Sequence, residues 1–171
     1  MTVGAVAGDD PFADVLIANG EHAKWFTPLA AAGVAAKGLA LLTCMDSRID
    51  PLAMLGLRPG DAKILRNAGA RVTDDVLRTL VLASYLLGVD RVMVVAHTDC
   101  RMAGGTEDDV HRAIANAGGP DTTSLSFLTT TDQEESLRGD VRRIQAWPYL
   151  NDLAVGGFIY DLSTGALRRV V

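Results

Sequence analysis

The sequence predicts an α/β fold: a mostly parallel central sheet flanked by helices, with a C-terminal antiparallel hairpin strand. Three observations predict it. Short runs of unbroken apolar residues, 39–42 and 92–96, stand where half-buried strands would alternate with polar residues, which is the pattern of buried parallel strands. Strand-like and helix-like segments alternate along most of the chain, as βαβ connections require. The last two strand-like segments, 155–162 and 167–171, are separated by a short turn around Ser163-Thr164-Gly165, which suits a hairpin.

Taken in order, residues 1–11 lack periodicity and read as a tail. A helix is predicted over 12–26, with Phe12, Val15, Leu16 and Ala23 on one face, Asp14 and Glu21 off it, and Gly20 as its weak point. Such an arm carries little core of its own and packs either on its own domain or on a partner subunit. Residues 28–38 are an Ala-rich connector, so 1–37 form the tail, arm and connector of one domain spanning 1–171. After the first strand, Pro51 opens a short helix over 49–57 and Pro59-Gly60 turns the chain into a second strand, 62–65. Thr73-Asp74-Asp75 caps a helix over 76–87 that Gly88 closes. That helix is apolar nearly all round (Val76, Leu77, Leu80, Val81, Leu82, Ala83, Leu86, Leu87) and is expected to be buried on every side, between the sheet and a second subunit. The third strand is 91–96. Thr106 to Asp109 caps a helix reaching Asn116, residues 121–131 form a loop, and Thr131-Asp132-Gln133-Glu134 opens a helix reaching Ala146.

Composition narrows the function. At 171 residues, with 49% hydrophobic and 22% charged side chains, the chain suits one globular domain. A net charge of −5 with scattered basic residues excludes a nucleic-acid groove or an anionic membrane surface. No apolar run reaches membrane-spanning length, and the first residues lack the basic start of a signal peptide. Two cysteines do not make a disulfide scaffold and leave metal binding or catalysis open. The expectation is a soluble cytoplasmic protein.

Two strand ends carry the chemistry: Thr43-Cys44-Met45-Asp46-Ser47-Arg48 and His97-Thr98-Asp99-Cys100. In open α/β sheets ligands bind beyond the carboxyl ends of strands. If these strands are neighbours, Cys44, Asp46, His97 and Cys100 converge as a tetrahedral ligand set for zinc. Cys44 and Asp46 lie two apart and share a side of an extended backbone; one turn after the strand brings His97 and Cys100 inward together. Two thiolates and a neutral imidazole balance Zn²⁺ and suit a borderline-soft metal. The fourth position then holds a water whose pKa falls from 15.7 to about 7. Arg48 is placed to hold Asp46 in a bidentate pair, ionised and off the metal; without that clamp Asp46 becomes the fourth ligand and closes the site. Against these stand plainer readings: both cysteines as core, Asp46 and Arg48 as an ordinary surface pair, and Thr98-Asp99 as support or nothing. His22 and His111, in predicted helices, read as solvated or packed. A cysteine nucleophile is poorly served, since no oxyanion hole is visible.

Cys44-Met45-Asp46-Ser47-Arg48, Arg66-Asn67-Ala68-Gly69 and His97-Thr98-Asp99-Cys100, in this order and at these separations, resemble the β-class carbonic anhydrases. The resemblance runs from Leu39 to the C-terminus and includes Gly157-Phe158-Ile159-Tyr160-Asp161 and the Thr164-Gly165 turn. It implies a zinc lyase interconverting CO₂ and bicarbonate, with Cys44, His97 and Cys100 as zinc ligands and Asp46 with Arg48 as catalytic dyad. It also implies Asp46 on the metal in closed forms and released in open ones, and a homodimer or homotetramer. Members of the family also hydrolyse carbonyl sulfide or carbon disulfide. A catalytically inactive zinc scaffold or sensor is the remaining alternative, though such a site would not need Arg48. One departure stands out: Arg101 follows Cys100 where the family commonly has glycine. A glycine there permits close approach or an unusual φ, and the guanidinium is placed to bind bicarbonate or to pair with Asp99 or Asp46. The expectation is a surviving zinc site with altered activity.

Overall fold

Every residue of β1 (Leu39–Cys44) is buried, because the strand is paired on both edges and covered on both faces. The computed structural model describes residues 10–29 and 33–171, which fall into two units divided at residue 30. In the larger unit, β1 pairs in parallel with β2 (Ala62–Asn67) and with β3 (Arg91–His97). β4 (Ala154–Tyr160) extends the parallel sheet from β3, and β5 (Leu167–Arg169) closes it antiparallel to β4. The order is β2-β1-β3-β4-β5, the predicted α/β architecture with its terminal hairpin.

The strand boundaries differ from the sequence reading where hydrogen bonds, not hydrophobicity, set them. β1, β2 and β3 run on through Cys44, Asn67 and His97, so the motif residues end the strands instead of following them. β4 stops at Tyr160 because Asp161 turns: its backbone N–H donates to Ala166 O at 2.9 Å and its carboxylate accepts from Ser163 N at 2.7 Å. β5 is short as a ladder, yet Val170 N donates to Gly157 O at 2.8 Å and Gly157 N to Val171 O at 2.9 Å, so the last residues still seal the edge.

The smaller unit contains α1 (Ala13–Trp25), none of whose residues is buried; the expected apolar face of Phe12, Val15 and Leu16 is exposed, and His22 lies 5.5 Å from the Phe26 ring. The predicted tail over 1–9 and the centre of the connector, 30–32, lie outside the described residues. In the larger unit α2 (Pro51–Met54) is shorter than predicted. Asp50 caps it by accepting from Leu52 N and Ala53 N, and Gly56 leaves helical geometry at φ +62°. α3 (Asp74–Leu86) is capped by Thr73 and buries Val76, Leu77, Leu80 and Ala83. Burial on every side is not what this single chain shows: Leu82, Tyr85 and Leu86 are 45%, 62% and 68% exposed, because a sheet covers only one stripe of a helix.

α4 (Glu107–Asn116) starts with a reciprocal Thr106–Asp109 capping box, and α5 (Gln133–Gln145) starts at Asp132. The Glu107 carboxylate pins the loop before α5, accepting from Phe127 N and Thr129 N, both at 2.8 Å. His111 packs at that loop, 2.9 Å from Thr122 Oγ1 and 5.4 Å from the Phe127 ring. α5 lies on β3 and β4 with Leu137, Val141 and Ile144 buried. Gly157 permits the close approach: a Cβ there would stand 3.0 Å from Leu137 Cγ and 2.9 Å from Val171 Cγ1. Among the described residues no helix is long and apolar enough to cross a membrane.

A buried ion pair ties α5 to the turn after β2. Arg71 Nε donates to Asp140 Oδ2 at 2.7 Å and Arg71 Nη1 to Leu128 O at 2.5 Å. Removing one partner of such a pair strands the other's charge in the core. Arg71→Ala is expected to destabilise the fold by about 3 kcal/mol, read as a lowered urea midpoint with an unchanged m-value.

Candidate metal centre

β1 and β3 are hydrogen-bonded neighbours with Thr43 opposite Val95, so their carboxyl ends bring Cys44 and His97 together. The turn after β3 returns Cys100 to the same point. The ligand atoms of Cys44, His97 and Cys100 lie within 4.8 Å of one another. All three residues are buried, His97 to 1% exposure. Around them Ile49, Met54, Met102, Ala103, Tyr160 and Leu162 form an apolar collar.

The imidazole shows what the cluster is for. His97 Nδ1 lies 2.8 Å from Thr98 O, and a carbonyl only accepts, so Nδ1 carries the proton and Nε2 presents a lone pair. That Nε2 is buried without a hydrogen-bond partner. Leaving a buried polar atom unsatisfied costs about 1–3 kcal/mol. A cation bound between Nε2 and two thiolates removes the cost, and the donor set, soft sulfur with imidazole, fits zinc. Gln133 Nε2 donates to His97 O at 3.0 Å and holds the strand end from α5. Without a metal, burial pushes the Cys100 thiol up, and the neighbouring Cys44 adds to it.

The Arg66-Asn67-Ala68-Gly69 segment supports Cys44. Arg66 Nε donates to Cys44 O at 2.9 Å and Nη2 to Asp46 O at 2.7 Å, fastening the chain after β1 to the end of β2. The Asn67 amide brackets Arg71, donating to its O and accepting from its N at 2.7 and 2.8 Å. The turn it shapes places Gly69 at φ +76° and aims Gly69 N–H at Cys44 Sγ, 3.4 Å away. The motif was visible in the sequence; which of its groups touches Cys44 depends on the β1–β2 register, Cys44 opposite Asn67.

Asp46 and Arg48 form the expected pair. Arg48 Nε donates to Asp46 Oδ1 at 2.9 Å, Nη2 to Oδ2 at 2.7 Å, and the Arg48 backbone N to Oδ1 at 2.9 Å. The Arg48 side-chain and backbone hydrogen bonds hold the Asp46 carboxyl far below the usual carboxylate range, and Asp46 holds the guanidinium correspondingly high. Asp46 Oδ2 is 3.8 Å from His97 Nε2, beside the three-residue cluster, and is engaged by Arg48. Asp99, left open between support and nothing, supplies a second clamp. Arg48 Nη1 donates to Asp99 Oδ2 at 2.7 Å and Nη2 to Asp99 O at 3.1 Å. His111 stays outside the site, packed on Phe127, and His22 of the smaller unit packs on Phe26.

Arg101 answers differently from the expectation. It begins a 3₁₀ turn, Arg101–Ala103, and its φ is not left-handed; the left-handed residue is Asp99, at φ +55°. Arg101 is exposed and forms no ion pair among the described residues, because Arg48 already occupies both Asp46 and Asp99. It lines an open groove beside Cys100 with Val110, Ala113 and Ile114 of α4.

The chain is similar to known proteins along most of its length. Residues 39–118 match the family model described as carbonic anhydrase. The β-carbonic anhydrase 1 of Mycobacterium tuberculosis is 40% identical over 135 residues, 78% of this chain and 82% of that protein. A carbon disulfide hydrolase of an Acidianus species is 31% identical over 154 residues, 75% of each chain. The crystal structure of carbonic anhydrase from Streptococcus mutans superposes with a TM-score of 0.86 at 37% identity, covering 94% of this chain and 97% of that one.

The purified protein is expected to bind about one zinc per chain, and His97→Ala to lose it, because the three donors act as a unit. Metal analysis after dialysis against a weak chelator checks this; stoichiometric zinc in His97→Ala would reject the assignment.

Proposed function

The chain belongs to the β-carbonic anhydrase family, and on that premise we propose that it is a zinc-dependent carbonate dehydratase interconverting CO₂ and bicarbonate. The observation that carries the reading is the buried Cys44–His97–Cys100 set with its unpartnered Nε2, and a carboxylate held beside it by Arg48. Cys44 Sγ, His97 Nε2 and Cys100 Sγ would hold the metal. Bound there, zinc supplies Lewis acidity that lowers the pKa of water to about 7.

The chain's own residues do the rest. Asp46 is ionised throughout the working pH range, so it accepts a hydrogen bond from the attacking water and aims a lone pair of its oxygen at the carbon of CO₂. Arg48 keeps that carboxylate charged and 3.8 Å from His97 Nε2, beside the position a metal would take. Met102, Ala103, Tyr160 and Leu162 line the site with apolar surface, which suits an uncharged linear substrate and limits competing water.

The same arrangement supports a second reading. Carbon disulfide is also a small linear heterocumulene, and some similar proteins are named carbon disulfide hydrolases. The inactive scaffold or sensor is disfavoured by the Asp46–Arg48 pair, which a purely structural site does not use. We read residues 1–171 as one such domain, with 1–37 as its tail, arm and connector, acting in the cytoplasm as a homodimer or homotetramer. Thiolate zinc ligands favour a reducing compartment. The exposed Leu82, Tyr85 and Leu86 of α3 and Phe12 and Leu16 beside and within α1 favour association.

Stopped-flow measurements should show CO₂ hydration from about pH 6.5 to 9, since Arg48 holds Asp46 away from the metal. Asp46→Asn should keep its zinc and lose at least about a hundredfold in kcat/KM. Turnover of carbon disulfide but not CO₂ by the zinc-loaded protein would favour the second reading. Arg101→Gly should leave kcat/KM for CO₂ within about twofold, the usual range for an exposed side chain without partners; a larger change would place Arg101 in substrate handling.

A further inference from the structure

We propose that Asp99 is the positioning residue that anchors Arg48 and thereby keeps Asp46 in its open, metal-free position. The proposal rests on the reading of Asp46 and Arg48 as the catalytic dyad and names what decides the state of that dyad.

An ion pair between near neighbours fixes their separation but not their place in the fold. Asp46 and Arg48 are two residues apart on one segment, and their hydrogen bonds fix their separation from each other. Those bonds do not fix where the pair stands relative to the metal ligands. Asp46 Oδ2 is only 3.8 Å from His97 Nε2, so a small swing of the carboxylate, with the guanidinium following, would carry it to the metal. Some contact outside the segment must hold the pair in place.

Arg48 is half exposed, so packing does not supply that contact. Arg66 fastens the main chain of the segment, through Cys44 O and Asp46 O, and leaves both side chains of the pair untouched. Asp99 is the residue that reaches the guanidinium from elsewhere in the fold. It is 51 positions away in sequence, in the turn between His97 and Cys100, and it receives Arg48 twice: Nη1 on Oδ2 at 2.7 Å and Nη2 on the backbone O at 3.1 Å. With Asp46 taking Nε and Nη2, the guanidinium is spread across two carboxylates and cannot follow Asp46 inward without breaking its bonds to Asp99.

The backbone of Asp99 supports the assignment. Its φ of +55° is left-handed, uncommon for a residue other than glycine and a sign of local strain held by the surrounding structure. That conformation turns both the carboxylate and the carbonyl toward Arg48. Because Asp99 lies between two metal ligands, the turn that delivers His97 and Cys100 also delivers the anchor. The ligand set and the position of the dyad are therefore set by one piece of chain.

Asp99→Asn and Asp99→Gly test this. Asparagine tolerates left-handed φ and keeps the shape while removing the charge; glycine keeps the backbone and removes the side chain. In zinc-free protein the Arg48 Nε–H proton, read by ¹⁵N NMR, should exchange about fivefold faster in Asp99→Asn and faster still in Asp99→Gly, the scale of a lost exposed charge pair. In crystals of the zinc-loaded variants at about pH 7, Asp46 should sit on the metal at the usual carboxylate distance of about 2.0–2.2 Å, while wild type keeps it on Arg48. Activity at pH 7 should fall in the same order and recover toward pH 9, where hydroxide displaces the carboxylate. Melting temperatures should stay within about 2 °C of wild type, since the pair is at the surface. An unchanged Arg48 signal with Asp46 still on Arg48 in both variants would overturn the proposal, as would a large loss of stability with the dyad intact. If wild type hydrates no CO₂, the functional reading fails alone, because the Arg48 exchange rate still decides what Asp99 does.

Discussion

The parallel pairing of β1 with β3 is the constraint on which the rest of the site depends, because it converts two motifs some fifty residues apart into one cluster. Thr43 opposite Val95 leaves Cys44 one residue short of His97, with both at the carboxyl ends of adjacent strands, where ligands bind in open α/β sheets. Everything nearby reinforces that placement. β2 brings Arg66 and Gly69 to Cys44 from one side, and α5 brings Gln133 to the His97 carbonyl from the other. A register slip of one residue would turn every side chain of a strand to the other face, so the buried Val/Leu pairs of the two strands bear on where the candidate ligands meet.

The site is built around groups that would be unfavourable without their partners. An imidazole nitrogen with no donor, a buried Cys100 sulfur whose thiolate form burial opposes, and a carboxylate beside an apolar collar are each costly alone. Their costs cancel in a particular way. Soft anionic donors and a neutral imidazole would balance a divalent cation, and the remaining carboxylate is neutralised by arginine, so no net charge would be left buried. In the proposed function the Asp46–Arg48 pair would leave a coordination position available while keeping a charged acceptor within reach of it.

Two features of this chain differ from what its sequence suggests. Arg101, directly after Cys100, was expected to strain the backbone or disturb the dyad. It does neither, because the left-handed position falls at Asp99 and the nearby carboxylates are already taken by Arg48. The turn therefore tolerates a bulky residue after Cys100. The α3 helix was expected to be buried throughout, yet a single chain covers only the Val76–Leu77–Leu80–Ala83 stripe and leaves Leu82, Tyr85 and Leu86 in solvent. A largely apolar helix whose Leu82, Tyr85 and Leu86 stay open is what a subunit contact would cover.

Much of this protein was legible in one dimension. Unbroken apolar runs marked the parallel strands, since strands buried on both faces have no polar register to show. Thr73, Thr106 and Asp132 marked helix starts, because capping is a local hydrogen bond between near neighbours. Cys44, His97 and Cys100 stood out as a group able to hold a metal, with Asp46 and Arg48 as a pair beside it, because ligand chemistry restricts residue type and spacing within each strand end. What only the tertiary structure decided were contacts across elements: Asp99 on Arg48, Arg66 and Gly69 on Cys44, Gln133 on His97, and the Arg71–Asp140 pair beneath them. Each joins residues whose partner is chosen by strand order and register, and neither order nor register is written in the local sequence around any one of them. Local chemistry named the reagents, and long-range geometry determined which of them touch.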